Sequence, residues 1–334
     1  MASRAVTMPV AGSVEELLAG ASEREPLAGG AGKSGAHFER VRLEGRYYVV
    51  KYLSVDGDWT MRAAGNLVPS TLTLWRRGIL GRLPGCLDPA VLGVAVDGAR
   101  GCAVLMHDVG DWLVPITEEP VALNMHLRFL DHMAQLHAAF WDAGAECELG
   151  MGVGRYLLLS PWTAQTEAAI GSEDLVPRLV EQGWARLAAV APATARAVIP
   201  LAWDPGPLVE ALETTPRTFV HGDWKFDNLG TDATGRTVLL DWELSGRGPA
   251  LADLAWYLSI NCRRLPQSKD AAIAAYRAAL ERHGVDTGPW WDHQLALCLL
   301  GAIVQFGWEK ALGGYDDELA WWEARALAGV ELLR

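Results

Sequence analysis

The chain has 334 residues, half of them hydrophobic, which is enough for one large or two smaller domains with a proper core and excludes a disordered chain. Lys and Arg number 29 against 41 Asp and Glu, a net charge of −12, the reverse of the balance in a phosphate-binding nucleic-acid protein. The five cysteines (Cys86, Cys102, Cys147, Cys262, Cys298) form no C-x-x-C pair, which argues against a disulfide framework or zinc site and for a reducing cytoplasm.

Residues 1–18 contain no continuous apolar core of a signal peptide, and the longest apolar run, residues 295–304, is too short to span a bilayer. Ser13-Val14-Glu15-Glu16 is a capping box that predicts a short helix ending near Gly20. Between Leu27 and Gly35 two patterns compete. Gly32-Lys33-Ser34 imitates the end of a P-loop, but Leu27 stands where that motif needs Gly, and no buried strand leads in. Gly30-x-Gly32-x-x-Gly35 matches the dinucleotide fingerprint, yet extended chain follows where that fingerprint opens a helix. Phe38, Val41, Leu43, Tyr47 and Val49 predict two strands around a Glu44-Gly45 turn, the second strand carrying Lys51. Residues 59–81 are helical in character, and residues 91–96 and 102–106 read as two further strands. A domain boundary is placed after Asp108.

A helix over about residues 121–141 puts Leu123, Leu127, Leu130, Ala134, His137 and Trp141 on one buried face, with His137 as a core histidine. Residues 145–170 show no clear period, residues 174–203 are mainly helical with an interruption at Pro192, and residues 271–333 are helical.

The most informative stretch is 221–241. It reads His221-Gly222-Asp223, four residues, Asn228, and then Asp241 at the end of Val238-Leu239-Leu240. A carboxylate and a carboxamide on one loop, followed by a carboxylate emerging from a strand, are what ATP-dependent phosphoryl transfer needs. One acid orients and deprotonates a hydroxyl, and two hard oxygen donors hold Mg²⁺ against the phosphates. Asp- and Asn-rich turns account for each residue alone, but not for the spacing of the set.

This segment resembles the catalytic loop and metal segment of the protein-kinase-like superfamily, H-R-D-x-x-x-x-N followed by D-F-G. Gly222 in place of Arg and Asp241-Trp242-Glu243 in place of D-F-G look like its small-molecule branch, which includes the aminoglycoside phosphotransferases and choline kinases. Residues 246–255 resemble the family's G-x-P-x-x-D-L-A segment, and Leu136-His137-Ala138 a helix that packs beneath the catalytic loop. The resemblance implies an α+β, two-lobed fold, with a small β-rich N-lobe at residues 1–108 and a larger, mostly helical C-lobe at 109–334. It implies that Gly30, Gly32, Ser34 and Gly35 cover the phosphates of ATP, Lys51 grips them, and the backbone around Met106 and Asp108 receives adenine. Asn228 and Asp241 become the Mg²⁺ ligands, and Asp223 the group that aims or deprotonates the acceptor hydroxyl. Asp253 braces the catalytic loop, and His221 is structural.

Other residues carry two readings each. Lys225 neutralises the transferring phosphoryl group or is a solvated loop lysine. Asp227 and Glu243 meet a substrate ammonium or cap turns. Gln305 and Glu309 share a helical face that lines a pocket or marks the wet end of a helix. One departure stands out: kinases pair the strand lysine with a Glu on the next helix, and no Glu occurs between Lys51 and Glu118, where Asp56 and Asp58 are the only acids close behind the lysine.

The chain is thus expected to be a cytoplasmic phosphotransferase that uses ATP and Mg²⁺ to phosphorylate a hydroxyl of a small molecule, an aminoglycoside or amino sugar first, with no nucleic-acid or membrane partner. An acidic protein suits a cationic acceptor, although many soluble enzymes are simply acidic. Two rivals remain at this point. One is a kinase fold without activity, used as a binding or regulatory module. The other is a nicotinamide-dependent oxidoreductase built on Gly30-x-Gly32-x-x-Gly35.

Overall fold

A computed structural model describes residues 8–27, 36–142, 147, 149, 152–314 and 316–334. The predicted glycine-rich residues Gly30, Gly32, Ser34 and Gly35 lie outside the described residues. The chain forms two compact units, Met1–Pro115 with Phe226–Glu243, and Ile116–Lys225 with Leu244–Arg334.

The first unit is built on β1 (Glu23–Pro26), β2 (His37–Leu43), β3 (Arg46–Ser54), β4 (Leu87–Asp88), β5 (Val91–Asp97) and β6 (Gly101–His107). All but β4 join one antiparallel sheet in the order β1-β2-β3-β6-β5. The β2–β3 hairpin turns at Glu44 (φ 48°) and Gly45 (φ 79°), the left-handed pair that a two-residue hairpin favours. Alternation along the strands buries Val41, Val50, Ala95, Ala103 and Leu105 in one cluster. Lys51 is thereby carried on the central strand, opposite Phe38 and Val104. The helical character of residues 59–81 takes the form of two short helices, Trp59–Ala63 and Ser70–Arg76. Gly65 (φ 72°) and Pro69 break it, as a left-handed glycine and a proline do.

Four short strands follow later in the chain: β7 (Thr218–Val220), β8 (Leu229–Thr231), β9 (Thr237–Leu239) and β10 (Gly246–Gly248). β8 and β9 form an antiparallel hairpin in the first unit, with β4 added in parallel to β9. β7 and β10 pair antiparallel in the second unit.

The second unit is mostly helical. Its central helix, Trp291–Leu312, is long and apolar enough to cross a membrane by length and composition alone, but 78% of its most apolar 18 residues is buried in the fold. Its partner Leu175–Val190 comes so close that a Cβ on Gly183 would lie 2.3 Å from the Trp308 carbonyl oxygen. The predicted buried face of helix Leu123–Ala139 needs correcting. Leu123 and Leu127 are exposed, and the core side runs through His126, Phe129, Leu130, Met133, Ala134, Leu136 and His137. Residues 145–170, which gave no periodic signal, contain helices Val153–Leu157 and Pro161–Ala169.

Candidate active site

In the second unit β7 delivers the chain to His221-Gly222-Asp223. Gly222 has φ +81°, and a Cβ there would lie 2.0 Å from the Leu244 carbonyl oxygen, so this position takes no side chain. The two backbone N–H groups of the turn point at one buried carboxylate. His221 N donates to Asp253 Oδ2 at 2.8 Å and Gly222 N to Asp253 Oδ1 at 2.7 Å. His137 Nε2 lies 3.1 Å from Asp253 Oδ2, and His137 Nδ1 lies 2.5 Å from the Tyr276 hydroxyl. Burial pushes the Asp253 carboxyl up, but His137 beside it, with the His221 ring and backbone N–H, outweighs burial and holds it below the usual carboxylate value. His221 is buried; its Nδ1 accepts from Asp223 N at 3.2 Å and its carbonyl from Ser245 Oγ at 2.9 Å.

Asp223 itself is gripped from two directions. Trp256 Nε1 donates to its Oδ1 at 3.0 Å, and Lys225 Nζ to its Oδ2 at 2.7 Å. The Arg155 guanidinium stacks 3.9 Å over the Trp256 ring, and its Nη2 donates to the Gly222 carbonyl. Burial lowers the pKa of Arg155, opposed by the charges of Asp223 and Asp253. Gln305 Nε2 donates to the Arg155 carbonyl at 2.9 Å, and Phe306 meets the Trp256 ring edge-on at 4.6 Å. Gln305, read from the sequence as a pocket wall or the wet end of a helix, is instead buried support for this group. Arg155 and Trp256 carried no sequence signal: one sits in the stretch without a period, the other simply continues an apolar helix.

The first unit holds the other predicted residues. Lys51 Nζ is buried and donates to Asp241 Oδ1 at 2.9 Å. Burial opposes its charge, yet Asp241 in contact, with Glu243 and Asp58 farther off, raises its pKa. Asp241 answers the missing glutamate. Asp58 instead caps the helix Trp59–Ala63, and Asp56 accepts from Arg100 at 2.7 Å. Asp241 follows β9 with φ 65°, a left-handed kink that Asp tolerates better than most residues. Asn228 precedes β8 and its carbonyl accepts from Leu240 N at 2.9 Å, so Asn228 and Asp241 flank the same end of the β8–β9 hairpin.

A carboxamide and a carboxylate oxygen form a hard donor pair suited to Mg²⁺, which normally takes one or two protein carboxylates and completes its shell with phosphates and water. Among the described residues there is no group of three or more His, Cys, Asp or Glu that could hold a metal ion.

Of the two readings of Glu243, substrate contact or cap, the geometry favours the cap. Glu243 is buried, and both of its oxygens are engaged at the start of helix Ser70–Arg76: Oε2 by Ser70 N at 2.8 Å, Oε1 by Thr71 N at 3.1 Å and Thr71 Oγ1 at 2.5 Å. Burial pushes its carboxyl up, only partly offset by Thr71 and Lys51. Met106 lies one residue before the end of β6, paired with Val49 and Val91, and Asp108 pairs with Arg40 at 3.0 Å. Asp227 is exposed.

In the second unit Glu309 lies one turn beyond Gln305, on a cavity of about 240 Å³ lined also by Cys262, Arg263, Lys310, Gly313, Asp316 and Glu318. The buried Lys310 ammonium bonds the Ser259 carbonyl at 2.8 Å and Glu309 at 2.8 Å. Burial works against that charge, but Glu309, Cys262 and Glu318 raise its pKa.

Residues 155–288 match the sequence profile of the phosphotransferase enzyme family. No curated protein matches the sequence as a relative. Among solved structures, the fold is similar to choline kinase LicA from Streptococcus pneumoniae, with 15% identity and TM-score 0.52 over 95% of this chain and 96% of that one. It is also similar to a thermostable mutant of aminoglycoside phosphotransferase APH(4)-Ia solved with ADP and hygromycin B, with 15% identity and TM-score 0.50 over 95% and 96%. At this identity the likeness is one of fold: the α+β, two-lobed kinase-like architecture of small-molecule phosphotransferases.

Proposed function

We propose that this chain, a small-molecule phosphotransferase of the protein-kinase-like kind, moves the γ-phosphoryl group of ATP to a hydroxyl of a small cationic acceptor, an aminoglycoside or amino sugar first. The main support is the pair between buried Lys51 and half-buried Asp241 at 2.9 Å, which joins a strand lysine to the carboxylate expected to carry the metal. It also speaks against an inactive kinase fold, a reading supported only by the missing glutamate partner of Lys51. Strand β2 after residue 36, where a dinucleotide fingerprint would open a helix, speaks against the oxidoreductase.

Each residue then has a task. Lys51 binds phosphate oxygens as a cation whose charge is secured by its surroundings. Asn228 and Asp241 would hold Mg²⁺, which when bound neutralises charge developing on the phosphates. Asp223 orients the acceptor hydroxyl and accepts its proton, and Lys225 offers a positive charge beside it. The acidic cavity is the acceptor pocket of this proposal. Gln305 supports Arg155 and Glu309 lines the cavity, and the two are four residues apart on one helix, roughly 6 Å of rise. Its lining sets three carboxylates (Glu309, Asp316, Glu318) against two cations (Arg263, Lys310), a surplus of one negative charge that favours an ammonium. The five cysteines are free thiols, which suits a reducing cytoplasm.

The test is a transfer assay with radiolabelled ATP and Mg²⁺ across amino sugars, quaternary amino alcohols and neutral sugars, with Asp223→Asn as control. Labelled product from a cationic acceptor, weakened by salt, is the expected result. Product from neutral sugars alone would refute the acceptor class. No ATP turnover with any acceptor would refute the activity.

A further inference from the structure

Asp223 is held by a device that a kinase-type motif does not contain. Trp256 sits on the helix Ala250–Ile260, two turns into a buried element, while Lys225 shares the loop of Asp223 and is partly exposed. The indole N–H is therefore the fixed reference for the carboxylate, and the lysine the adjustable one. The indole is itself fixed on two sides, by Phe306 at its edge and by the Arg155 guanidinium over its face. Arg155 also reaches the carbonyl of Gly222, the residue just before Asp223. Its remaining terminal nitrogen, Nη1, is buried without a partner, so a charge is kept here although its hydrogen-bonding capacity is not filled. A cation over an indole face draws electron density from the ring and makes its N–H a stronger donor.

We propose that Trp256 and Arg155 are positioning residues for phosphoryl transfer: Trp256 fixes the rotation of the Asp223 carboxylate, and Arg155 fixes Trp256 and the loop carbonyl together. This rests on the role of Asp223 put forward above. With Oδ1 tied to the indole and Oδ2 to Lys225, the carboxylate cannot turn about its Cβ–Cγ bond without breaking a bond to a charged acceptor. The acceptor hydroxyl then meets one orientation of the base instead of an average over several.

Trp256→Phe keeps the ring for Arg155 and Phe306 and removes only the N–H. Loss of one hydrogen bond to a charged group should lower kcat roughly tenfold to a hundredfold. KM for ATP should stay within about twofold, because the group acts on the acceptor side. Arg155→Met should lower kcat in the same direction, with Arg155→Lys restoring only part of it, since an ammonium neither stacks nor forks like a guanidinium. These rates are read as ADP release from ATP and Mg²⁺ with water as acceptor, and with any acceptor the transfer screen returns. The independent readout is the indole N–H resonance of Trp256 in ¹⁵N-tryptophan-labelled protein, assigned by its loss in Trp256→Phe. It should move upfield in Asp223→Asn, whatever reaction the protein performs.

A resonance indifferent to Asp223→Asn overturns the contact and the proposal with it, even if Trp256→Phe does not fold. A large loss of transfer in Asp223→Asn with none in folded Trp256→Phe overturns the positioning role alone. Unchanged transfer in Asp223→Asn refutes the function assigned to Asp223 and with it the positioning role, while the resonance still judges the contact.

Discussion

Replacing Asp253 with Asn keeps the size of the side chain and removes its charge. In the parent this buried carboxylate accepts from His221 N at 2.8 Å and Gly222 N at 2.7 Å, with His137 Nε2 at 3.1 Å. A carboxamide has one acceptor oxygen, so its NH₂ must face at least one of these N–H groups, donor against donor. Breaking a buried charged arrangement by removing one partner costs about 3–5 kcal/mol. The loss belongs to the second unit, and urea unfolding followed by tryptophan fluorescence should show it as a lower midpoint. The pH dependence gives a second check. Asp253 is held below the ordinary carboxylate value, so its contribution is complete above the unfolded pKa of about 4 and fades as pH falls from there through the folded value. Stability of the parent should therefore drop more steeply than that of Asp253→Asn on acidification below about pH 4. A variant within about 1 kcal/mol of the parent at pH 7, or equal acid slopes, would refute the argument that this carboxylate organises the loop.

Asp241→Asn should still bind nucleotide, with little dependence on Mg²⁺, and lose most transfer; normal turnover at saturating ATP and Mg²⁺ would remove Asp241 from the metal site. Lys51→Ala should damage activity more than Lys33→Ala, because the buried Lys51 is held by Asp241; the opposite order in a kinetic comparison would favour a P-loop reading. Gly222→Ala meets the Leu244 carbonyl and a left-handed backbone that alone costs roughly 1–2 kcal/mol. Its thermal midpoint should fall by more than that cost explains, and an unchanged midpoint would show that the turn can open.

Much of the first unit was legible because its signals are local. Alternating apolar residues, the Glu44-Gly45 turn and the run before Asp241 each fix an element within a few residues. The helix Leu123–Ala139 shows where periodicity stops short. Its period was right, but two apolar stripes compete on it, one through Leu123 and Leu127 and one through Phe129 and Met133. The choice between them is made by what packs against the helix. His126 goes inside because the Tyr257 hydroxyl and Gln267 meet its two ring nitrogens, at 2.7 Å and 3.0 Å.

The site contacts that the sequence does not show share one property: their partners are remote in the chain. Lys51 and Asp241 are 190 positions apart, and only the sheet and the β8–β9 hairpin bring them together. Arg155 is the sharper case. Position 222 differs from the kinase H-R-D pattern by having Gly where that pattern has Arg, and the structure gives a reason, since the Leu244 carbonyl occupies the space a side chain would need. A guanidinium nevertheless reaches this turn. It comes from helix Val153–Leu157, whose Tyr156 would lie 2.7 Å from a Cβ on Gly301 of the central helix. A local motif records that Gly222 stands where the pattern has Arg. It cannot record a guanidinium that reaches the turn from a helix lying against another at a glycine.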